Sequence, residues 1–274
     1  MPQSNEKIVA LDTAITTGGP ATNAAVTFGY FGHEVTLLTV IGNHPIGELI
    51  TVELEGYSLK VIDLNPWQTH EPPISSIVVT QSTGERAAIS LNAVKSPANP
   101  LFLPPNIIND IDIILIDGHQ LVISEEIIRQ IPNRKIPVVL DGGSWKPGLE
   151  SILSQIDYAI CSSHFFPPDC QDIESVFRYL QDCGVSHIAI THGEKAIQYW
   201  SNGERGEVEV PVIEAVDTLG AGDIFHGAFC HYILLEEFAV ALTQAMKVAS
   251  HSCKYFGPRK WMEKHPFSSW DNSK

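Results

Sequence analysis

The chain has 274 residues, 44% of them hydrophobic and 18% charged, which is enough for one large α/β domain with a sizeable core. A formal charge of −15 argues against nucleic-acid and anionic-membrane partners, because both require clustered Lys and Arg to neutralise phosphates. No apolar run reaches bilayer length and the start, Met-Pro-Gln-Ser-Asn-Glu-Lys, lacks a basic and apolar signal segment, so a cytoplasmic location is expected. The five cysteines (Cys161, Cys170, Cys183, Cys230, Cys253) form no Cys-x-x-Cys pair, and no His-x-x-x-His pair has an acid nearby. Reduced thiols and no protein metal ligand are therefore the expectation.

In chain order, the first patch of interest is Gly18-Gly19-Pro20-Ala21-Thr22-Asn23-Ala24-Ala25. Paired glycines let a ligand approach the backbone, Asn23 offers both a donor and an acceptor to hydroxyls, and the small residues after it permit close helix packing. An ordinary loop and helix accounts for the patch equally well when it is taken alone. Val35 to Ile41 then reads as a strand. Ser75 to Thr80 and Ala87 to Leu91 read as a hairpin around a turn at 81–86, with Arg86 either solvated at its end or closing over a site. Residues 92 to 110, rich in Pro and Asn, read as a connection.

From Ile111 onward, apolar runs alternate with helix-like segments. Ile113–Ile116, Val138–Leu140, Tyr158–Cys161 and His187–Thr191 read as parallel strands of a doubly wound sheet, which places ligands at their C-terminal ends. Asp117-Gly118-His119 falls at one such end and reads as loop punctuation. For Asp141-Gly142-Gly143, punctuation and a place in the cleft are equally open. The segment Asp217-Thr218-Leu219-Gly220-Ala221-Gly222-Asp223, followed by Ile-Phe-His-Gly-Ala-Phe, reads as an anion-binding helix start. Its glycines bring consecutive N–H groups to a ligand, and Asp223 in the first helical turn is placed to take a proton from an incoming hydroxyl. On its own, Gly-x-Gly-Asp is equally well read as a helix cap and a turn. His226, on the face of Asp223, either lines the site or packs. Ala245 to Cys253 reads as a helix that stops near Gly257.

Taken whole, Asp217 to Phe229 resembles the C-terminal signature of the ribokinase-like carbohydrate kinases, and Gly18 to Gly47 resembles their N-terminal signature, roughly 200 residues upstream. The resemblance runs from Gly18 to Gly257. It implies a single ribokinase-like domain over residues 1–274, with a mainly parallel sheet flanked by helices and a small β lid drawn from about 1–17 and 70–95. It further implies ATP-dependent phosphorylation of a sugar hydroxyl. Asp223 would be the catalytic base, and Gly220, Ala221 and Gly222 the anion hole. Gly18, Gly19 and Asn23 would contact the sugar, while Thr191, Gly193, Thr218 and Gly257 would contact the nucleotide. Lys195 would face solvent. ATP and Mg²⁺ are the implied cofactors, K⁺ is a candidate third, and a homodimer through the lid is a candidate assembly.

Three departures accompany the resemblance. Asn43 stands where the family usually has Asp. Ser162 and Phe165 stand in a segment that is often Asn-x-x-Glu, whose Glu organises magnesium; this leaves no protein metal ligand to assign. The family's opening strand, which ends in a sugar-binding Asp, would lie upstream of Asn5-Glu6-Lys7. A catalytically impaired sugar- or nucleotide-binding protein is accordingly the alternative to an active kinase. The glycine-rich entry and Ser162 lean the substrate toward a ketohexose. A dinucleotide-dependent dehydrogenase is disfavoured, as no Gly-x-Gly-x-x-Gly follows a first strand.

Overall fold

The structure is a computed structural model that describes residues 7–57, 59–81, 86–91, 96–131 and 136–264. Parts of the expected lid (1–6), hairpin turn (82–85) and connection (92–95) lie outside the described residues. Seven helices and ten strands follow in order: α1 (Pro20–Tyr30), β1 (Val35–Thr39), α2 (Pro45–Glu55), β2 (Leu59–Asp63), β3 (Ser75–Val79), β4 (Arg86–Ser90), β5 (Ile114–Ile116), α3 (Leu121–Gln130), β6 (Val138–Gly142), β7 (Tyr158–Ser162), α4 (Ile173–Asp182), β8 (His187–His192), β9 (Lys195–Ser201), β10 (Glu204–Val208), α5 (Ala221–Ile233), α6 (Phe238–Ser252) and α7 (Lys260–Lys264).

The main sheet runs β10-β9-β8-β7-β6-β5, parallel from β5 to β8 and antiparallel at β9 and β10. Its parallel strands read as near-continuous apolar runs because both faces are covered. Successive residues alternate between two cores, as the pleat requires. Val139, Ile160 and Ala189 point to α5 and α6, whereas Val138, Leu140, Ala159, Cys161, Ile188 and Ile190 point to α4 and its neighbours. The sheet is thus wound on both sides, as the sequence implies. The antiparallel β9–β10 hairpin was not among the expected elements. Its strands carry alternating polar residues, but the turn Asn202-Gly203, with both residues at positive φ (49° and 96°), is a recognisable hairpin signal.

A second sheet, β1 and β2 in parallel, packs on α1 and α2 around Val26, Leu37 and Leu54. No strand among the described residues joins it to the main sheet. Instead β1 and β5 face each other across a cleft of about 2310 Å³. Residues 7–17 line part of this cleft without regular structure, and the β3–β4 hairpin stands at its mouth. The cysteines of the described chain are unpaired, with Cys161, Cys230 and Cys253 buried. Among the described residues no helix is long and apolar enough to cross a membrane.

What holds the two sheets in register is the crossing of α1 and α5. Gly227 is the contact point: a Cβ there would lie 2.4 Å from the Ala24 carbonyl oxygen and 2.7 Å from Thr27 Cβ. Nearby, Trp261 of α7 is fully buried, packs edge-on to Tyr30 and donates its indole N–H to the Pro258 carbonyl at 3.1 Å. Gly227→Ala should force the helices apart and cost about 1–3 kcal/mol of stability, read as a lowered denaturation midpoint. Activity should fall more steeply than folded fraction, because the same crossing sets the site described next.

Candidate active site

The loop before α5 is built around Asp217, which is buried. Its Oδ1 accepts the Leu219 N–H at 2.9 Å and its Oδ2 accepts the Gly257 N–H at 2.9 Å. The backbone N–H groups of Val216 and Asp217 both donate to the Cys253 carbonyl, so the loop is stapled to the end of α6. Gly220 follows in the left-handed region (φ 75°), a conformation that side chains resist, and so turns the chain sharply into α5. Asp217 therefore serves as scaffold. Gly257 has its N–H committed to this scaffold, although it lies in the same cleft.

At the helix start the N–H groups of Gly220, Gly222 and Asp223 have no acceptor among the described residues, while that of Ala221 reaches the Thr218 carbonyl at 3.3 Å. These donors and the partial positive charge of the helix end make a seat for an anion. Asp223, half-buried in the first turn, accepts a hydrogen bond of 2.6 Å from Asn23 Nδ2 on α1. Burial first, and the Asp141 carboxylate second, raise its pKa to about 6; the Asn23 bond and the nearby His226 and Arg86 pull the other way. Asn23 is itself 5% exposed, and its Oδ1 has no partner among the described residues, leaving one acceptor for a ligand hydroxyl. Gly18 and Gly19 border the cleft just before α1. The N- and C-terminal patches of the sequence thus meet at one point.

Asp117 departs from its reading as loop punctuation. Its carboxylate accepts the Ala21 N–H at the start of α1 (3.3 Å) and the His119 N–H (3.0 Å), and lies 3.3 Å from His119 Nδ1. That imidazole holds its pKa down against burial. The contact with Ala21 is long-range and cannot be seen in the local tripeptide. Asp141 at the end of β6 is 5% exposed and belongs to the same buried acidic cluster, with its pKa raised by burial. His226 does not face the cleft openly: its ring is 6% exposed, between α5 and β7. Arg86 is exposed yet donates to the Thr218 carbonyl at 3.2 Å, tying the hairpin to the loop before α5.

Thr191 and Gly193 sit at the C-terminal end of β8 beside Ser162, farther along the strand ends and without a direct contact to Asp223. Thr191 Oγ1 donates to the Cys161 carbonyl at 3.4 Å. Lys195 is exposed, as expected. At the departures, Ser162 Oγ donates to the Gly143 carbonyl (2.7 Å), and Phe165 is fully buried against Trp145. Neither offers a metal ligand, and among the described residues no three His, Cys, Asp or Glu side chains converge on a metal position. Among the described residues the side chains present do not form a site for a resident metal ion. At the turn bearing Asn43, a carboxylate is supplied from another strand: Asp63 of β2 accepts the Ile41 and Gly42 N–H groups at 3.2 and 2.8 Å.

The chain is 26% identical to the deoxyribokinase of Salmonella typhi over 279 aligned residues, covering 92% of this chain and 86% of the relative. Its fold matches that of a ribokinase from Giardia lamblia with a TM-score of 0.81 at 16% identity, covering 100% of this chain and 93% of that one. It also matches an E. coli protein described as ribokinase II and solved with ATP and Mg²⁺, with a TM-score of 0.72 at 18% identity over 98% of this chain and 95% of that one. Residues 3–265 match the model of the pfkB family carbohydrate kinases, and the chain belongs to that family.

Proposed function

We propose that the protein is an ATP-dependent sugar kinase in which Asp223 is the general base. The observation that carries this reading is the joining, in one helix turn, of unpaired N–H groups with a carboxylate whose pKa is about 6. A sugar hydroxyl next to Asp223 gives up its proton to that carboxylate as its oxygen bonds to the γ-phosphorus. The bond from the γ-phosphorus to the bridging oxygen breaks, and ADP leaves. The Gly220, Gly222 and Asp223 N–H groups hold the charge on the transferring phosphoryl, and the reaction gains mostly from positioning and electrostatic stabilisation. Asn23 orients Asp223 through Nδ2 and offers Oδ1 to a second hydroxyl.

The E. coli structure with ATP and Mg²⁺ supports ATP as donor here and Mg²⁺ as its accompanying ion. Thr191, Gly193, Thr218 and the turn at Gly257 remain the proposed nucleotide contacts. Gly18 and Gly19 remain the proposed sugar contacts, and K⁺ a proposed activator. A relative named deoxyribokinase supports including pentoses beside ketohexoses as candidate substrates. Val78 and Ile89, on one face of the hairpin and 51% and 64% exposed, support pairing of two lids in a homodimer.

The test is ADP release with Mg²⁺, ATP and K⁺ across ribose, deoxyribose, ketohexoses and nucleosides. Sugar-dependent turnover is expected, and Asp223→Asn should lower kcat about 10²–10⁴-fold. Tight ATP binding with no turnover on any acceptor would replace this reading with that of a binding protein. The pH profile follows from the sign of the shift: protonated Asp223 cannot act as base, so kcat/KM should fall as pH drops below about 6. Asn23→Ala removes a bond that favours the ionised carboxylate, so this acid limb should move to higher pH.

A stability consequence runs opposite to activity. The folded carboxyl holds its proton to higher pH than the unfolded one, so native stability falls as pH rises from the ordinary value of 3.8 through about 6, and the full cost is present above that. At pH 8, Asp223→Asn should therefore stabilise the fold, by on the order of 1–2 kcal/mol after allowing for solvent in the open cleft, measured by denaturant titration.

A further inference from the structure

The ring of His226 is buried with both nitrogens facing backbone carbonyl oxygens: Nδ1 lies 2.7 Å from Gly222 O, and Nε2 lies 3.1 Å from Ile160 O. A carbonyl oxygen only accepts. A neutral imidazole has one N–H and one lone pair, so in either tautomer one of these approaches would set lone pair against lone pair in a site without room for relief. With a proton on each nitrogen, both approaches become hydrogen bonds. The surroundings suit a cation, since the Asp141 carboxylate lies 3.4 Å from Nδ1 and Asp223 is one helical turn away on the same face.

We infer that His226 is a positioning residue held as an imidazolium, which bolts the first turn of α5 to strand β7 and supplies one of the positive charges that favour the ionised form of Asp223 beneath the transferring phosphoryl. The mechanical part follows from the two partners. Gly222 O belongs to the turn that carries the free amides and Asp223, and Ile160 O belongs to the middle of the sheet, so the anion seat is referenced to the sheet through one ring. The electrostatic part follows from the census of charged and titratable groups around it. Asp223 and Cys230 lie on α5, Asp141 on β6, Asp117 just after β5 and Cys161 on β7, while Arg86 approaches from the hairpin and His119 and Lys146 from the far side of Asp141. The charged groups acting on Asp223 are the Asp141 carboxylate, the exposed Arg86, the largely buried Arg259 and the buried His226, and of these cations His226 is the one on the helix of Asp223 itself.

The kinetic half of this inference rests on the kinase reading, whereas the structural half does not. The experiment therefore has two parts. In ¹⁵N-histidine-labelled protein, with His226→Gln used to assign the signals, both ring nitrogens of His226 should show directly bonded protons at pH 7.5. A single protonated nitrogen at that pH would overturn the inference whether or not the protein phosphorylates anything. In the kinase assay, His226→Gln should move the acid limb of kcat/KM upward by about half to one pH unit, because a neutral side chain no longer favours the ionised Asp223. A lower plateau with an unmoved limb would mean that His226 only packs. If the variant does not fold, the spectrum of the unaltered protein still decides the question.

Discussion

The crossing of α1 over α5 is the constraint on which the rest of the molecule depends. It exists because Gly227 has no side chain, so that the backbone at Ala24 can approach within van der Waals range. One residue earlier on α1, Asn23 meets Asp223, one turn earlier on α5. Neither helix carries the site by itself. α1 brings the Asn23 amide from the smaller sheet, and α5 brings Asp223 and the helix-start N–H groups from the larger one. A close helix contact, normally a matter of packing density, here sets the distance between two chemical partners.

The electrostatic design is one of concentrated like charge managed at short range. Asp117, Asp141 and Asp223 are drawn to one end of the sheet in a chain already strongly acidic. Each has a different counterweight: His119 for Asp117, the His226 ring for Asp141, and an amide hydrogen bond for Asp223. Environment separates the three: the Asp117 carboxyl is held below its ordinary range, while burial raises Asp141 and Asp223 above theirs.

The sequence was most legible where the structure is most local. The turn through Gly220 into α5 depends on consecutive residues, and the parallel strands depend on apolar runs buried on both faces, so both could be read from the chain. Asp117 and the ring of His226 were less legible, because their partners at Ala21 and Ile160 come from elsewhere in the fold. Asp63 is a further case. Looking only at position 43 finds a missing carboxylate, whereas β2 supplies one to the neighbouring amides. The β9–β10 pair was hidden by its polar alternation rather than by distance, and its Asn-Gly turn was the usable signal.

The separation of the two sheets by the cleft gives the site an unusual relation to folding cooperativity. Hydrogen bonding between strands couples residues within each sheet but not across the gap, where the coupling passes through helix packing and a few bonds such as Asn23 to Asp223 and Ala21 to Asp117. The contact between Asn23 and Asp223 therefore spans the gap between the two sheets. Partial opening of the smaller unit would disassemble the site while leaving the larger sheet intact, so hydrogen-exchange protection on the β1–β2 side, more than global stability, is the quantity that governs how often the molecule is competent.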